Sequence, residues 1–360
     1  MKNKTWFVIG VMSGTSLDGV DLVYAKIIKN IDYSFEILEK STVNYSDSWK
    51  KTLQDAFNYS EVKLKDLDIE YGQFLGKLVH GFIVDNNIKK VDLIASHGHT
   101  VFHKPEEGLT LQIGSGAEIA KECEIKVICD FRSQDVALGG QGAPLVPIGD
   151  LLLFNSYGFC LNLGGFANIS FQKNENRVAF DICPVNIVLN HYTRAIGLEY
   201  DDKGKIASKG NLQTDLLYEL NNLPFYLDEI PKSLGYEFIV DTILPMIDKF
   251  KIPIEDILRT FIEHAAFQIS EIINRNSKFI SKTDISILVT GGGAFNDFLI
   301  QRIKHLSKSE IVIPSRGIID FKEALVFALL GILKDEGEIN CLRTVTGAKN
   351  DHSSGVIFYP

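Results

Sequence analysis

The chain has 360 residues, which is too long for one ordinary hydrophobic core and suits two domains. Hydrophobic residues make up 45% and charged residues 23%, as is usual for globular proteins, so we expect no long disordered stretch. The formal net charge is −9 and the basic residues are scattered, which disfavours nucleic acid as a partner.

The cysteines and the apolar runs indicate the compartment. Five cysteines occur, an odd number, and no two have C-x-x-C spacing, which disfavours a disulfide framework or a zinc site and favours a reducing compartment. No apolar run reaches the roughly 18 residues of a membrane span, and the first apolar run meets Gly10 too early for a signal peptide. We therefore expect a soluble cytoplasmic protein with no membrane partner.

The first half of the chain predicts three hairpin-connected strands followed by alternating helices and buried strands. Alternating apolar residues, separated by Ser, Gly and Asp, indicate the hairpin strands, and apolar residues at helical spacing indicate the helices. The predicted elements are strands at 5–11, 20–28 and 35–45, helices at 48–57 and 67–86, a strand at 91–96, a helix at 117–123 and a strand at 125–130.

The second half repeats this order of elements, although its residues barely match those of the first half. It predicts strands at 158–163, 167–171 and 177–181, a helix at 187–196, a helix at 254–274, a strand at 285–290, a helix from about 296, a strand at 311–314 and a helix at 322–335. Residues 214–242, with prolines and mixed polarity, predict a long loop or insertion.

The repeated order predicts an α/β protein of two similar lobes with a cleft between them. We place the N-terminal lobe at 1–150 and expect 341–360 to join it as added strands. The C-terminal lobe is then 151–340, with the insertion near 214–242.

The segment GVMSGTSLDGVD, residues 10–21, joins the first two predicted strands. Glycines and small hydroxyl residues let backbone N–H groups approach an anion closely, which favours a phosphate-binding loop. Asp18 and Asp21 suit a magnesium shell or a water network. An ordinary hairpin loop is the alternative interpretation.

Two further glycine-rich segments lie in the second half. NLGGFAN, residues 162–168, occupies the place that the first loop has in the first half, so the two loops could grip phosphates from opposite sides. TGGGAFN, residues 290–296, follows a buried strand and precedes a helix, where glycines leave room for a nucleotide against the backbone. A simple glycine-rich turn explains either segment equally well alone, and neither is the G-x-G-x-x-G of a dinucleotide fold.

Other polar residues follow predicted strands. Asp181 ends a strand just before a helix, which suits a general base, although an aspartate that caps a helix is also common there. In the first half, SHGHT, DFRSQD and GGQGAPLVP offer His97, Arg132 and Gln141 to an acidic, hydroxyl-rich ligand. Metal ligation by His97 and His99 is disfavoured because no third ligand lies near them in the sequence.

These motifs, in this order, resemble the anhydro-N-acetylmuramic acid kinase family of bacterial cell-wall recycling. The matching stretches are GVMSGTSLDGVD, SHGHT, DFR..D, GGQGAPLVP, LNLGGFANIS, YDDKG..A..G at 200–210, PKSLGYEF at 231–238, VTGGGAFN, and KEAL..A at 322–328. They extend over nearly the whole chain, and GTSLDGVD and GGQGAPLVP are the most specific.

The resemblance implies paired ribonuclease-H-like lobes of the actin-like and hexokinase-like ATPase superfamily. It also implies an ATP- and Mg²⁺-dependent kinase that hydrolytically opens 1,6-anhydro-N-acetylmuramic acid and phosphorylates its 6-oxygen, giving N-acetylmuramic acid 6-phosphate. Its partner would be this small amino sugar, and the family suggests a homodimer.

The resemblance also implies roles for single residues. Asp181 would activate the water, and Glu323 would support the water or the sugar. Arg132 would bind the lactyl carboxylate and His97 the sugar hydroxyls, with Gln141 and Asn186 as further substrate contacts. Asp18 would hold magnesium, directly or through water. The ATP-binding residues would be Gly14, Thr15, Ser16, Leu17, Asp18, Gly19, Val20, Asp21, Gly164, Gly165, Gly291, Gly292, Gly293 and Asn296.

The chain departs from the family pattern beside the expected base. The family motif is Asp-x-Gly-Pro-Gly-Asn, whereas Cys183 and Val185 stand here in place of the two glycines. If either position needs a positive φ, a side chain there is strained. His99 also replaces a usual glutamine, and DFRSQD lacks two basic residues. These changes leave two alternatives open: a kinase of another anhydro or acidic sugar, or a non-catalytic nucleotide-binding sensor.

Overall fold

The computed structural model describes residues 3–14, 17–280 and 285–360. Its strands are β1 (Lys4–Ser13), β2 (Gly19–Lys29), β3 (Tyr33–Asn44), β4 (Leu93–Ser96), β5 (His99–Lys104), β6 (Leu109–Ile113), β7 (Val127–Cys129), β8 (Phe159–Leu163), β9 (Phe166–Lys173), β10 (Asn176–Pro184), β11 (Ser286–Thr290), β12 (Glu310–Val312) and β13 (Val356–Phe358).

The helices lie between and after these strands. They are α1 (Asp47–Asp55), α2 (Glu61–Asp85), α3 (Gly116–Cys123), α4 (Ser133–Ala137), α5 (Val146–Leu153), α6 (Asn186–Arg194), α7 (Thr214–Asn221), α8 (Tyr236–Phe238), α9 (Leu244–Asp248), α10 (Ile254–Asn276), α11 (Asp297–Ser307), α12 (Arg316–Asp335) and α13 (Arg343–Thr346). Within the described ranges, no helix is both long enough and apolar enough to cross a membrane.

The chain divides into two compact units. The first comprises Met1–Leu153 and Phe321–Pro360, and the second comprises Phe154–Asp320. The sequence pattern assigned 321–340 to the second lobe, but this stretch belongs to the first unit because α12 packs directly on β1: a Cβ added to Gly10 would lie 1.9 Å from the Ala324 carbonyl oxygen. Such a close approach requires glycine at residue 10.

The first unit is built on a six-stranded sheet with the order β13-β7-β4-β1-β2-β3. The β1–β2 and β2–β3 pairs are antiparallel hairpins, whereas β4 is parallel to β1 and β7 is parallel to β4. All four residues of β4 are buried, as expected of a central strand covered on both faces. At the edge, β13 pairs antiparallel with β7 and brings the C-terminal segment onto this sheet.

The second unit repeats this arrangement in a five-stranded sheet with the order β10-β9-β8-β11-β12. Here β8, β9 and β10 form the antiparallel hairpins, and β11 and β12 continue the sheet in parallel. Counting only the strands of each main sheet, both sheets therefore share the order 3-2-1-4-5, and β13 adds a sixth strand at the edge of the first. This is the ribonuclease-H-like arrangement, so the predicted α/β fold class with two such lobes is confirmed.

Side-chain caps and apolar faces explain several helix positions. Ser46 and Ser60 begin α1 and α2, and each hydroxyl accepts a hydrogen bond from a backbone N–H in the first turn. The apolar face of α10 lies in the core of the second unit, with Phe261 and Ile269 fully buried. Residues 214–242, predicted as a long loop or insertion, contain α7, where Leu216 and Leu220 form a buried face at helical spacing, and the short helix α8.

Candidate functional site

The turn between β1 and β2 forms the glycine-rich loop of the first unit. Ser13 pairs with Val20 across the hairpin, and the Leu17 N–H donates to the Gly14 carbonyl oxygen at 3.4 Å. Leu17 has a positive φ of 59°, and Gly14 and Gly19 are half-buried. The Val20 side chain lies in the hydrophobic core, so Val20 can contact a ligand only through its backbone. The predicted ATP-binding residues Thr15 and Ser16 lie outside the described residues.

The hydroxyl of Ser13 belongs to a structural network. It donates to the Gly98 carbonyl oxygen at 2.7 Å and accepts from the Tyr71 hydroxyl at 2.9 Å. The one proton of the Ser13 hydroxyl is therefore engaged within the protein and is not free to donate to a phosphate. This network therefore ties the start of the loop to the SHGHT segment.

The two aspartates of the loop differ in their surroundings. Asp18 is exposed, which fits the predicted contact with a hydrated cation. Asp21 is half-buried on β2 and accepts a hydrogen bond from the Thr42 hydroxyl at 2.5 Å. The loop thus carries one solvent-facing carboxylate and one that is held by the neighbouring strand.

Helix α12 places Glu323 in the first unit. The backbone contact between Gly10 and Ala324 fixes the helix against β1. On its buried side, the Lys322 ammonium forms an ion pair with Asp150 at 2.6 Å, and both side chains are almost fully buried. These two contacts hold the turn of α12 from which Glu323 projects.

The charges around Glu323 come from predicted site residues. Desolvation by the surrounding protein raises the pKa of the Glu323 carboxyl, although the side chain reaches solvent, and the cations of Arg132 and Lys322 oppose this shift. The carboxylate of Asp21 adds to the rise in pKa. The first unit thus brings Glu323, Arg132 and Asp21 into one electrostatic neighbourhood.

Arg132 is held by His97. The Arg132 Nε and Nη2 atoms lie 3.1 and 3.0 Å from His97 Nε2, and Nη1 donates to the Gly142 carbonyl oxygen at 2.6 Å. His97 Nδ1 donates to the Gly98 carbonyl oxygen at 2.8 Å, so Nε2 is the accepting nitrogen. Burial, followed by the Arg132 cation, lowers the pKa of His97 to about 3.

Because both ring nitrogens of His97 are engaged within the protein, the structure gives it a positioning role toward Arg132 instead of direct contact with a sugar hydroxyl. His99 is also buried, and burial lowers its pKa to about 4. The Gln141 side chain is exposed, while its backbone N–H donates to the Thr346 carbonyl oxygen at 2.8 Å.

Asp181 lies near the end of β10 in the second unit. One carboxylate oxygen accepts from the Leu234 N–H at 2.9 Å, and the Asp181 N–H donates to the Lys232 carbonyl oxygen at 3.0 Å. Burial raises the pKa of Asp181 above its usual range, and the bond from Leu234 opposes this shift. The PKSLGYEF segment at 231–238 thus orients the carboxylate, and a raised pKa makes that carboxylate a stronger base.

The residues that replace the two family glycines fit without positive φ. Val185 has φ −136° and ψ −95°, and Cys183 is not among the positive-φ residues. Both side chains are fully buried in the core of the second unit, and a β-bulge separates Asp181 from Cys183. In this chain the two positions therefore carry core side chains.

The Gly164–Gly165 turn contacts the segment after Asp181 through the backbone. The Gly165 carbonyl oxygen accepts from the Val185 N–H at 2.8 Å and the Ile187 N–H at 3.3 Å, and the Gly164 carbonyl oxygen accepts from the Asn186 N–H at 3.3 Å. A Cβ at Gly165 would have ordinary contacts, so neither packing nor φ requires glycine there. Gly165 is exposed and leaves its backbone open to a ligand.

The TGGGAFN segment packs against the end of β8. Gly291 has φ +80°, and a Cβ there would lie 2.7 Å from Asn162 Oδ1, so glycine is required. A Cβ at Gly293 would lie 2.7 Å from the Leu163 side chain. Gly292 is exposed, and a Cβ there would meet Asn186 Nδ2 at an ordinary 3.9 Å. The middle glycine thus presents its backbone to solvent.

A cavity of about 610 Å³ opens beside Gly292 within the second unit, a volume in the roughly 300–1,000 Å³ range of small-molecule sites. The residues that line it come from α6, the YDDKG segment and the TGGGAFN turn, together with the first residues of α11 and α12 and the residue after β12. They are Asn186, Leu189, Asn190, Tyr200, Asp201, Asp202, Lys203, Gly292, Ala294, Phe295, Asn296, Asp297, Ile313 and Arg316.

Several of these lining residues already have structural partners. Asn186 donates through Nδ2 to the Leu163 carbonyl oxygen at 3.1 Å, and Asn296 caps α11 by accepting from the Leu299 N–H at 3.0 Å. The Asp201 carboxylate accepts from two backbone N–H groups of the following turn, at residues 206 and 207. Asn186, predicted as a sugar contact, therefore lies in the wall of the same cavity as Gly292.

Sequence reasoning assigned no role to Phe295 and Arg316 in this cavity. The Arg316 guanidinium lies 5.6 Å from the centre of the Phe295 ring, and Phe295 is 42% exposed. An exposed aromatic ring beside a cation offers a flat base both stacking and cation–π contact. Phe295 belongs to a motif that the sequence singled out, whereas Arg316 has no motif to mark it.

Comparison with known proteins identifies close relatives over nearly the full length. The family model for anhydro-N-acetylmuramic acid kinase matches residues 6–360. A protein of that name from Francisella tularensis subsp. novicida is 34% identical and covers 96% of each chain. The one from Photobacterium profundum is 33% identical and covers 97% of this chain and 98% of its own. The one from Bacillus thuringiensis subsp. konkukian is 31% identical, with coverage of 98% and 99%.

Two solved structures are similar at lower levels. An activator of 2-hydroxyisocaproyl-CoA dehydratase from Clostridium difficile, with bound ADPNP, has a TM-score of 0.41 at 12% identity and covers 90% of this chain and 93% of its own. A hexokinase from Schistosoma mansoni, complexed with glucose, has a TM-score of 0.38 at 10% identity, with coverage of 90% and 85%. These scores are too low to support an inference about function.

Proposed function

The chain belongs to the anhydro-N-acetylmuramic acid kinase family, and we propose that it uses ATP to open 1,6-anhydro-N-acetylmuramic acid and phosphorylate the 6-oxygen. The observation that carries this proposal is the Asp181 carboxylate, which the Leu234 N–H orients and whose pKa is raised by burial. The same unit contains a cavity lined by a glycine-rich turn, of a size that suits a nucleotide.

The chemistry requires one base for two linked events. In the anhydro sugar the 6-oxygen is part of an ether bridge and has no proton to lose. Asp181 takes a proton from water as the water oxygen bonds to C1 and the bond from C1 to the 6-oxygen breaks. The 6-oxygen keeps the electron pair of that bond and attacks the γ-phosphorus of ATP, with ADP leaving. Held together, these groups react without a separate encounter for each step.

The cavity of the second unit suits ATP, because it offers an aromatic ring for the base and exposed backbone for the rest of the nucleotide. Phe295 and Arg316 would contact the adenine, and the exposed Gly292 would let the nucleotide approach the backbone. In the first unit, the glycine-rich turn at residues 14–21 would bind phosphate oxygens. When bound with ATP, a magnesium ion neutralises charge on the phosphates, and the exposed Asp18 would hold its water shell.

Arg132 suits the lactyl carboxylate of the sugar. A guanidinium has five N–H groups, and the contacts to His97 and Gly142 engage three of them. One N–H on each terminal nitrogen is then available, which is the arrangement that binds a carboxylate in a bidentate manner. Glu323, in the same electrostatic neighbourhood, would contact the sugar or the attacking water.

The segment at residues 181–186, called the base loop because it carries Asp181, has a conformation that favours a catalytic protein over the nucleotide-binding sensor. The sensor alternative arose from the replaced glycines at 183 and 185, but neither position has a positive φ here. Asp181 keeps a bonded and partly buried carboxylate. The other alternative, a different anhydro or acidic sugar, is separated by the substrate experiment below.

The test uses purified protein, Mg·ATP and 1,6-anhydro-N-acetylmuramic acid in ¹⁸O-labelled water, with the product followed by mass. We expect a 6-phosphorylated sugar that carries one ¹⁸O at C1. The same assay is run with other anhydro and acidic sugars. Phosphorylation of those sugars alone would identify a kinase of a different sugar, and ATP binding without any product would identify the sensor.

Asp181→Asn tests the base, and we expect it to lower kcat by at least about 100-fold, because general-base catalysis contributes about 10²–10⁴-fold. The affinity for ATP should stay near that of the unmodified protein. Asp215→Asn is the matched control, since Asp215 is an exposed aspartate of the same unit. A kcat near the unmodified value in Asp181→Asn would refute the base assignment.

The magnesium dependence, the cytoplasmic location and the homodimer are further parts of this proposal that come from the family. The acidic composition and the scattered basic residues agree with a small-molecule substrate and disfavour nucleic acid as a partner.

A further inference from the structure

A buried trio of Asp135, Cys341 and His352 lies in the first unit, outside the residues that the proposed reaction uses. Their exposed fractions are 0%, 1% and 7%. One ligand atom from each, a carboxylate oxygen, a thiol sulfur and an imidazole nitrogen, lies within 4.8 Å of the other two. We propose that these three residues bind a zinc ion.

The chain brings the trio together through two backbone features. Cys341 and His352 face each other across an antiparallel bridge, with reciprocal N–H to carbonyl hydrogen bonds of 3.1 Å. Directly opposed residues point their side chains to the same face of such a pair. Asp135, on the short helix α4, lies against this face.

The distances are close to those between the ligands of a tetrahedral zinc ion. Cys341 Sγ lies 3.0 Å and His352 Nε2 lies 3.5 Å from Asp135 Oδ1. Zinc bonds of about 2.0–2.3 Å at the tetrahedral angle separate ligand atoms by about 3.3–3.8 Å. A shift of a few tenths of an ångström therefore accommodates the ion, and a fourth position is left for water.

The orientation of His352 supplies an independent reason for a cation. His352 Nδ1 lies 3.1 Å from the Asn350 carbonyl oxygen, so Nδ1 carries the proton and donates it. In a neutral ring, Nε2 then directs its lone pair toward the Asp135 carboxylate, and this buried nitrogen has no hydrogen-bond partner among the described residues. A lone pair that faces a carboxylate in the interior is unfavourable unless a cation, either a metal ion or a proton on Nε2, lies between them.

The surrounding hydrogen bonds are those of a supported metal site. Ligating histidines usually donate the second ring N–H to a backbone carbonyl, as His352 does, and ligating carboxylates are themselves hydrogen-bonded. Asp135 Oδ1 accepts from the Thr346 hydroxyl at 2.7 Å, and Oδ2 accepts from the Gly142 N–H at 2.7 Å. A thiolate, an imidazole and a carboxylate together favour zinc over magnesium or calcium.

Binding would release one proton. Without metal, Cys341 Sγ donates to Asp135 Oδ1, and burial together with that carboxylate raises the pKa of the thiol. On binding, the S–H bond breaks, the sulfur keeps the electron pair as a bond to zinc, and the proton passes to solvent.

The experiment measures metal binding directly on the full chain. The protein, stripped with a chelator, is titrated with Zn²⁺ against a chromophoric competitor, and with Co²⁺ to record its absorption. We expect one high-affinity equivalent of zinc, one proton released per ion, and a cobalt spectrum with thiolate charge transfer and the intense visible bands of four-coordination. Zinc should also raise the melting temperature.

Variants separate this site from adventitious binding. Cys341→Ala and His352→Gln should each lower zinc affinity by at least about 100-fold, because loss even of outer hydrogen-bonding partners costs about 10–100-fold. Cys129→Ala is the matched control: it removes another buried thiol of the same unit and should bind zinc like the unmodified protein.

Three results would overturn the proposal. They are a full zinc equivalent retained in Cys341→Ala, a cobalt spectrum without thiolate charge transfer in the unmodified protein, and no high-affinity zinc in the unmodified protein. The second and third need no variant, so they decide the question even if Cys341→Ala folds poorly.

Discussion

Replacing Gly10 with alanine should push helix α12 away from strand β1 of the first unit. The added Cβ would lie 1.9 Å from the Ala324 carbonyl oxygen and 2.8 Å from its carbon, which is far inside van der Waals contact. Overpacking by one methyl group costs about 1–3 kcal/mol when side chains can adjust. Here the obstacle is helix backbone, so we expect the upper end of that range, about 3 kcal/mol.

The same displacement should lower catalysis, because α12 carries Glu323 next to Ala324. A misplacement of about 1 Å in a reacting geometry can cost about 100-fold in rate, and we expect a loss of that order in kcat. The assays are calorimetric unfolding and steady-state kinetics with ATP and the anhydro sugar.

Gly81→Ala is the matched control for Gly10→Ala. Gly81 lies within helix α2 of the same unit, and a Cβ there would have no atom within 4 Å. Alanine there should stabilise the unit by about 0.5–1 kcal/mol and leave kcat unchanged. If Gly10→Ala has the same free energy of unfolding and the same kcat as the unmodified protein, the close packing of α12 on β1 described above is refuted.

Three further predictions concern burial and charge. Lys322→Met removes the cation paired with Asp150 and should lower the free energy of unfolding, measured by calorimetry, by about 3–5 kcal/mol. Lys65→Ala, which breaks an exposed pair, should not change it measurably. Equal effects of the two variants would contradict this prediction. Burial lowers the pKa of His264 from 6.5 to about 3, so its contribution to stability is complete above pH 6.5 and is lost as pH falls toward 3, by about 1.4 kcal/mol per unit; an NMR titration midpoint near 6.5 would refute this. Phe295→Ala should raise the Kd for ATP about tenfold by calorimetric titration, since stacking on an aromatic ring is worth about 1–3 kcal/mol; an unchanged Kd would remove Phe295 from the adenine site.

Periodicity predicted the strands of both sheets because their apolar residues alternate or form fully buried runs. The hairpin of β5 and β6 was missed, since His99–Lys104 has polar residues on both faces and pairs outside the main sheets. Helix α12 begins at Arg316, six residues before its predicted start.

In the candidate site, too, only residues with a local sequence signal could be predicted. The glycine-rich turns could be found from sequence because their composition is local and unusual. The role of His97 could not, since it depends on which nitrogen faces Arg132 across the fold. The trio of Asp135, Cys341 and His352 has no spacing signature either, because a backbone bridge and a distant helix bring it together.

The docking of the base loop through the Gly165 carbonyl oxygen has a consequence for recognising related proteins. The bonds from the Val185 and Ile187 N–H groups use main-chain atoms, so they constrain the path of the chain without constraining its side chains. A search pattern that demands glycine at positions 183 and 185 would therefore pass over proteins built like this one. A pattern anchored on Asp181, Asn186 and the opposing Gly-Gly pair would retain them.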